Sequence, residues 1–463
     1  MMNDDAAMAP ALHRPTPRPR AFVLLGGLKV ILRNWRYLTG LEERGIVPLV
    51  LTSEQWREEC LRQMASGERP GSLIADAGFV PGTVGVEGGF TGGVVAQVMA
   101  WRERYDIVGV FAAGEMLVEQ TGIVADLLGL PSPGLRATRV CRDKHLQRAY
   151  LAEWSPRALA VPPGGRDDVP YGEIAFPVVL KPTGRRESSG VQVVGDRDRL
   201  RALLRSTEYS PGETLLIEDQ VRGQEYSVES LVQDGKIVFE SVTHKRTNEE
   251  AGDHFVELGH TVPAPPTAGS ERLLAANQSV VERLAVENGI VHTELRLADD
   301  GRPVLMEVAV RTPGDGLLPL YHLATGRPME PDILRIALGE PVTRPEPARY
   351  ARQVYLETPH GILRDVTVHP ALGVEPVWAA NGQPWPDLAP GRPGDPAALR
   401  AVIVLKRPGT RVGPLTESGD RVVTFLIDAP TSAELDRLEA EVRASIEVLT
   451  TPHEKGTDTD VDR

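Results

Sequence analysis

Between residues 21 and 135, short apolar runs of strand length alternate with longer amphipathic stretches, and few folds accept that rhythm. AFVLLGG reads as a buried strand ending in glycines, followed by a helix through Trp35 and Tyr37. IVPLVLTS is a second such run, and DIVGVFAAG a third that leads into the helical EMLVEQTGIVADLLGL. Strands that are apolar throughout are buried on both faces, and strand–helix alternation covers those faces with helices. The expectation is an α/β chain whose first part is a parallel, doubly wound sheet. PSPGL at 131–135 breaks the rhythm and marks a boundary.

A chain of 463 residues exceeds one ordinary core, so two to four domains are expected. Residues 1–20, rich in Pro and Arg and lacking an apolar signal core, read as a disordered tail. After the 21–135 α/β unit comes a smaller one at 136–210, with a helix around CRDKHLQRAYLAEW, the strand PVVLKP, a loop and VQVVG. Residues 211–345 hold two hairpins and the helix SERLLAANQSVVERLAVENG. A Pro-rich break at 343–348 leads into a β-rich unit over 346–450 that closes with a helix near 432–448, and 451–463 read as a second disordered tail.

The hairpin VHTELRLADDGRPVLMEVAVR poses a physical problem. Asp300-Gly301 between apolar runs signals a two-residue turn. Counting outward from it opposes Glu294 and Glu307, with Cβ atoms about 5 Å apart. Opposed like charges destabilise a sheet unless a positive group intervenes. The same count around Asp234-Gly235 opposes Glu229 and Glu240. One such pair alone is better explained by two solvated acids.

The net charge of -13 argues against nucleic acid and anionic membranes as partners. No apolar run reaches the roughly 18 residues of a membrane span. Two cysteines without CxxC spacing fit a reducing cytoplasm and no structural zinc. Of 51 basic residues only 7 are Lys and 44 are Arg. Lys is a compact point charge suited to phosphate, so Lys144, Lys181 and Lys245 stand out against that background.

Gly26-Gly27 lacks a full G-x-G-x-x-G and reads as a tight strand-to-helix turn, whereas GGFTGG at 88–93 is equally an anion cradle or a loop. VVLKPTGRRESSGVQVV is sharper. A strand delivers Lys181, and a loop rich in Gly and Ser lets backbone N–H groups close on phosphate oxygens. In LLIEDQVRGQEYSVESLV, Glu218 ends an apolar strand, Val221 is placed to offer backbone groups to an adenine edge, and Glu225 to accept from ribose hydroxyls. Singly, each acid is better explained by solvation or capping.

Taken in order, Lys144 in CRDKHLQR, Lys181 in VVLKP, ESSG, IEDQVRGQEYSVE and the HTE…MEVAVR hairpin resemble the ATP-grasp superfamily, over about residues 110–345. THKRTNEEAGDHFVELGHTVPAP and the hairpin are similar to its carboxylate–amine ligases of the L-amino acid ligase, or dipeptide synthetase, type. The resemblance implies an ATP-grasp fold with a doubly wound N-terminal domain, a mobile lid, a catalytic core and a β-rich C-terminal domain. It implies ATP with Mg2+, or Mn2+ in its place, small carboxylic acid and amine substrates, and amide formation through an acyl phosphate with release of ADP; a homodimer is compatible with it. By the same resemblance, Lys144, Lys181, Ser188, Ser189 and Gly190 hold phosphates, Glu218 and Val221 adenine, and Glu225 ribose. Lys245 contacts phosphate, Glu294 and Glu307 ligate metal, Arg311 holds a substrate carboxylate or the acyl phosphate, and His260 lies near the reacting phosphoryl group. Arg311, four residues past Glu307, is expected on the same strand face. The superfamily often has Asn two residues after its second acid; Ala309 stands there, which leaves the number of metal ions open. A biotin-carboxylase-like subunit and a nucleotide-binding regulator without turnover are the alternatives, the first weakened because no biotin-carrier segment is visible.

Overall fold

The computed structural model describes residues 17–81, 90–185, 189–249, 254–380 and 384–452. Its first sheet consists of β1 (Arg20–Leu25), β2 (Val47–Ser53), β3 (Asp76–Val80) and β4 (Asp106–Ala112). They are parallel in the order β3-β2-β1-β4, as the apolar alternation requires. β3 and the helix Thr91–Arg102 that follows it escaped the sequence reading, because DAGFV carries an acid and a glycine in only five residues. Gly26, at φ 143°, turns β1 into the helix Leu28–Arg33. Of GGFTGG, Gly88 and Gly89 lie outside the described residues, and Thr91–Gly93 open the Thr91–Arg102 helix.

A second sheet holds β5 (Ala158–Val161), β6 (Val178–Pro182), β7 (Gln192–Val194) and β8 (Leu215–Asp219), in the order β5-β8-β6-β7. β8 is central, so this sheet extends past residue 210. Its apolar face packs with the helix Arg197–Leu204 into a separate small core.

The third sheet dominates. It comprises β9 (Gly223–Gln233), β10 (Lys236–Thr247), β11 (Glu257–Val262), β12 (Gly289–Ala298), β13 (Pro303–Ala309) and β14 (Tyr350–Tyr355). After β15 (Gly361–Val368) it gains β16 (Pro376–Trp378) and β17 (Ala398–Val404), and, after β18 (Arg411–Val412), β19 (Val423–Ala429). The order is β13-β12-β9-β10-β11-β14-β19-β17-β16. The C-terminal strands thus extend the central sheet through the β11–β14 pair rather than forming a sheet of their own. Only β15, β18 and β20 (Ile446–Thr451) form a separate three-stranded sheet.

One face of β9, β12 and β13 is apolar and packs on the helix Ser270–Leu284. That helix buries Leu273, Ala276, Asn277, Val280, Val281 and Leu284, a single stripe at helical spacing. Truncating a core leucine such as Leu284 to Ala should cost about 2–5 kcal/mol. The other face is charged. Direct cross-strand pairs put Glu225 and Arg296, Glu229 and His292, Lys245 and His260, and Glu294 and Glu307 on it. Among the described residues no helix is long and apolar enough to cross a membrane.

Candidate functional site

The helix Lys144–Tyr150 begins at Lys144 because Asp143 caps it, its side chain accepting from the backbone N–H groups of His145 and Leu146. Capping thereby fixes Lys144 at the first turn, where its Nζ donates to the Arg185 carbonyl at 2.9 Å and pairs with Glu307 at 3.1 Å. Lys181, near the end of β6, is buried and pairs with Glu218 of neighbouring β8 at 2.6 Å. Arg148, one turn beyond Lys144, reaches the same carboxylate at 2.6 Å. Burial alone raises an acid; here Lys181 and Arg148 outweigh it and hold Glu218 down at about 2. Burial also depresses Lys181 to about 8, with Arg148 adding to the effect and Glu218 opposing it.

Lys144, Lys181 and Glu218 line one cleft with Ser189, Val221, Glu225, Glu294 and Glu307. Gly190 sits in the left-handed region at φ 72°, a backbone conformation that favours glycine, and a Cβ there would also press on Arg185 at 2.8 Å. Ser188 lies outside the described residues. The Val221 carbonyl accepts from Arg296 at 2.9 Å, and Glu225 takes both Arg296 at 3.0 Å and Lys245 at 2.7 Å.

Glu294 and Glu307 are directly opposed. The route to that register differs from the expected one. Leu297 pairs with Pro303, and the Ala298 amide donates to the Arg302 carbonyl, so the turn is one residue longer than Asp300-Gly301 alone. A bulge at Met306 then absorbs the extra residue. The β9–β10 hairpin behaves oppositely. Its turn is the expected two residues, but a bulge at Val238 pairs Glu229 with Ser241 and Glu240 with Ser230. The expected opposition of Glu229 and Glu240 is therefore absent, because a one-residue slip sends them to opposite faces.

Cations resolve the repulsion between the opposed acids. Lys245, only 2% exposed, donates to Glu294 at 2.7 Å and pairs with Glu225 at 2.7 Å and Glu257 at 3.6 Å. Burial would lower this lysine, but the three acids drive it well above its ordinary value. Burial likewise opposes ionisation of Glu294, and Lys245 and His292 overcome it, leaving the acid well below the usual carboxylate range. Glu307 is lowered by Lys144 against both burial and Glu294. The ammonium of Lys245 is thus surrounded by carboxylates, an arrangement that organises acids rather than one left open for phosphate.

Two directly opposed carboxylates suit a hard divalent cation, which prefers oxygen ligands. The described residues contain no group of three or more His, Cys, Asp or Glu able to hold a metal by themselves. Mg2+ or Mn2+ fits if phosphate oxygens and water complete its shell.

A second cavity shares Glu257, Glu294 and Glu307 with the first and adds Arg311, His260, Asp315 and Arg421. β13 ends at Ala309, so Arg311 does not continue the strand face of Glu307 as expected. It lies past the strand end and donates to Glu115 at 2.6 Å, which anchors it to the first sheet's side of the molecule. His260 meets Asp315 at 2.8 Å, and Arg421 donates to both oxygens of that acid at 2.8 and 3.0 Å. Asp315 has φ 50°, a strained conformation for a non-glycine residue. Asp315 is held well below its usual range because Arg421 and His260 outweigh the burial that would raise it.

The structure brings Lys144, Lys181, Ser189, Glu218, Val221, Glu225, Glu294 and Glu307 to one cleft, and Lys245, His260 and Arg311 to the cavity beside it. Sequence reasoning missed Arg148, Glu257, His292, Arg296 and Arg421, and gave Glu229 no place in the site. Arg148 and Arg296 had no signal in a chain with 44 arginines. Glu229 and His292 did carry one, a polar residue inside an apolar strand run.

Residues 174–318 match the ATP-grasp domain. The chain is 23% identical over 270 residues to alanine–anticapsin ligase of Bacillus subtilis (strain 168), covering 52% of this chain and 56% of that protein. It is 24% identical over 233 residues to dapdiamide A synthase of Enterobacter agglomerans, covering 48% and 54% respectively. The chain thus spans about half the length of these curated relatives. Its structure superposes on the crystal structure of L-amino acid ligase from Bacillus licheniformis with a TM-score of 0.71 at 19% identity, over 94% of this chain and 100% of that one.

Proposed function

For a chain that carries an ATP-grasp domain, we propose an ATP-dependent carboxylate–amine ligase that joins an amino acid or related acid to an amino acid or amine. The observation that carries this reading is the convergence of Lys144, Lys181, Glu294 and Glu307 on a cleft continuous in its lining with the Arg311–His260 cavity. Phosphates and the carboxylate that accepts the phosphoryl group would then meet at the shared acids Glu257, Glu294 and Glu307. The names of the relatives, an alanine ligase and a dapdiamide synthase, support the same chemistry.

In this reading Lys144, Lys181 and the Ser189–Gly190 loop bind the phosphates, Glu218 and Val221 face adenine, and Glu225 faces ribose. Glu294 and Glu307 hold Mg2+ or Mn2+, which offsets charge on the phosphates of bound ATP. A substrate carboxylate oxygen attacks the γ-phosphorus, and the bond to the β-bridging oxygen breaks, giving an acyl phosphate and ADP. The amine attacks the acyl carbon, the C–O bond to phosphate breaks, and amide and inorganic phosphate form as the nitrogen sheds a proton. Arg311 orients the acid. The β5–β8 unit acts as a lid that keeps water from the acyl phosphate. Lys245 organises Glu225, Glu257 and Glu294. A cytoplasmic setting suits both the ATP requirement and two buried thiols.

The test supplies ATP, Mg2+ and pooled amino acids, with and without hydroxylamine, and reads products by mass spectrometry. Amides, hydroxamates and ADP are expected. AMP and pyrophosphate would overturn the acyl-phosphate mechanism in favour of adenylation.

A further inference from the structure

His292 occupies an unusual place on the charged face of the central sheet. It lies on β12 two residues before Glu294, opposite Glu229 of β9 on one side and opposite Ala309 of β13 on the other. His292 and Ala309 both line the cavity that holds Glu294 and Glu307. Its Nδ1 meets Glu229 Oε1 at 2.8 Å, and its Nε2 meets Glu294 Oε1 at 3.2 Å. Both ring nitrogens face carboxylate oxygens, which only accept, so both donate.

Glu229 is itself held from several sides. It is wholly buried and accepts from Ser227 Oγ at 2.7 Å, from Tyr321 OH at 2.8 Å and from the Thr243 hydroxyl. A continuous line of hydrogen bonds therefore runs from the Tyr321 helix (Leu317–Thr325) through Glu229 and His292 to Glu294. The bonds that reach Glu294 from His292 and Lys245 both fall on Oε1. Two donors on one oxygen fix the rotation of the carboxylate plane and leave Oε2 as the oxygen on offer to a cation.

We propose that Glu229 and His292 are positioning residues that clamp Glu294 so that it presents one oxygen to the divalent cation of the nucleotide complex. This rests on the ATP-grasp reading given above. Partners that orient a metal ligand usually contribute 10–100-fold to metal affinity. A histidine serving only the core would contribute to stability and leave that affinity alone.

The experiment titrates Mn2+ against the full chain in the presence of ADP, read by electron paramagnetic resonance, and measures metal-free ADP binding in parallel. His292→Ala should weaken Mn2+ binding about 10–100-fold while metal-free ADP binding stays within about twofold. His292→Gln, whose amide can still donate towards Glu294, should recover most of the loss. Where His292→Ala does not fold, His292→Asn, which keeps a polar partner for Glu229 but ends short of Glu294, replaces it. Unchanged Mn2+ affinity in the Ala or Asn variant overturns the proposal, as does an equal loss of metal-free ADP binding or a His292→Gln variant as weak as Ala. A wild-type chain that binds no Mn2+ with ADP would instead overturn the ATP-grasp reading on which the proposal stands.

Discussion

The β9–β10 and β12–β13 hairpins look alike in sequence and differ in outcome. Each has Asp-Gly at its turn and a glutamate on either arm, placed symmetrically about it. In β9–β10, Asp234 and Gly235 both take positive φ, 51° and 73°, giving the tight turn their residue types favour. The bulge at Val238 then breaks the symmetry and sends the two acids to opposite faces. Glu229 enters the charged face, wholly buried. Glu240 goes to the helix side, where Asn277 donates to it at 3.1 Å and burial raises its pKa. In β12–β13 a longer turn and a bulge at Met306 cancel, and the acids stay opposed. The lesson is that turn chemistry sets the local start of a register, while bulges decide what a whole arm presents.

The contrast predicts different fates for the same Glu→Gln change. The largest effect is expected at Glu307. Glu307→Gln should reduce ADP release about a hundred- to a thousandfold, the scale seen when one group stabilising transition-state charge is removed. Its melting temperature should change little, since loss of one opposed acid relieves repulsion. An unfolded variant would make Glu307 a structural acid.

Glu229→Gln should do the reverse in kind. It sets an amide among groups that all donate to it, and a buried mismatch of this type costs about 1–3 kcal/mol, measurable by urea unfolding. Equal stability of this variant and wild type would remove the distinction between the two hairpins.

The Lys181–Glu218 pair, outside both hairpins, calibrates the site by pH. Lys181→Met should weaken ATP binding by about 1.5–3 kcal/mol, the worth of a hydrogen bond to a charged group, and should also lower the melting temperature without nucleotide, because it leaves buried Glu218 with Arg148 but without its lysine. Lys181 is lowered by burial to about 8 from 10.5. The unfolded chain therefore holds this proton longer, so this group makes stability rise with pH between about 8 and 10.5. ATP affinity should fall from pH 7 to 9, around the folded-state value of about 8, as the ammonium is lost. Lys181→Arg should flatten that pH dependence, and a wild-type affinity flat across this range would remove Lys181 from phosphate binding.

The smallest effect is expected at Glu240. Half-buried and raised in pKa, its carboxyl is already disfavoured as an anion, so Glu240→Gln should shift stability by no more than about 0.5 kcal/mol, within the range of surface substitutions. A loss matching that of Glu229→Gln would show that the two faces of the sheet are not inequivalent.

The amino-acid order by itself determined the parallel first sheet, because strands apolar at every position have to be covered on both faces. It also singled out Lys144, Lys181 and Lys245, since a sparse lysine in an arginine-rich chain is conspicuous, and it opposed Glu294 to Glu307, though two one-residue errors cancelled to give that pairing. Tertiary structure alone decided who neutralises those acids. Lys245 comes from 49 residues away, Glu229 reaches His292 across 63, and Glu115 reaches Arg311 across 196. It also joined β14, β17 and β19 to the central sheet and carried Arg421 to Asp315. Periodicity and turn chemistry are local and can be read along a chain, whereas the partner of a buried charge is whichever group the folded sheet brings within about 3 Å.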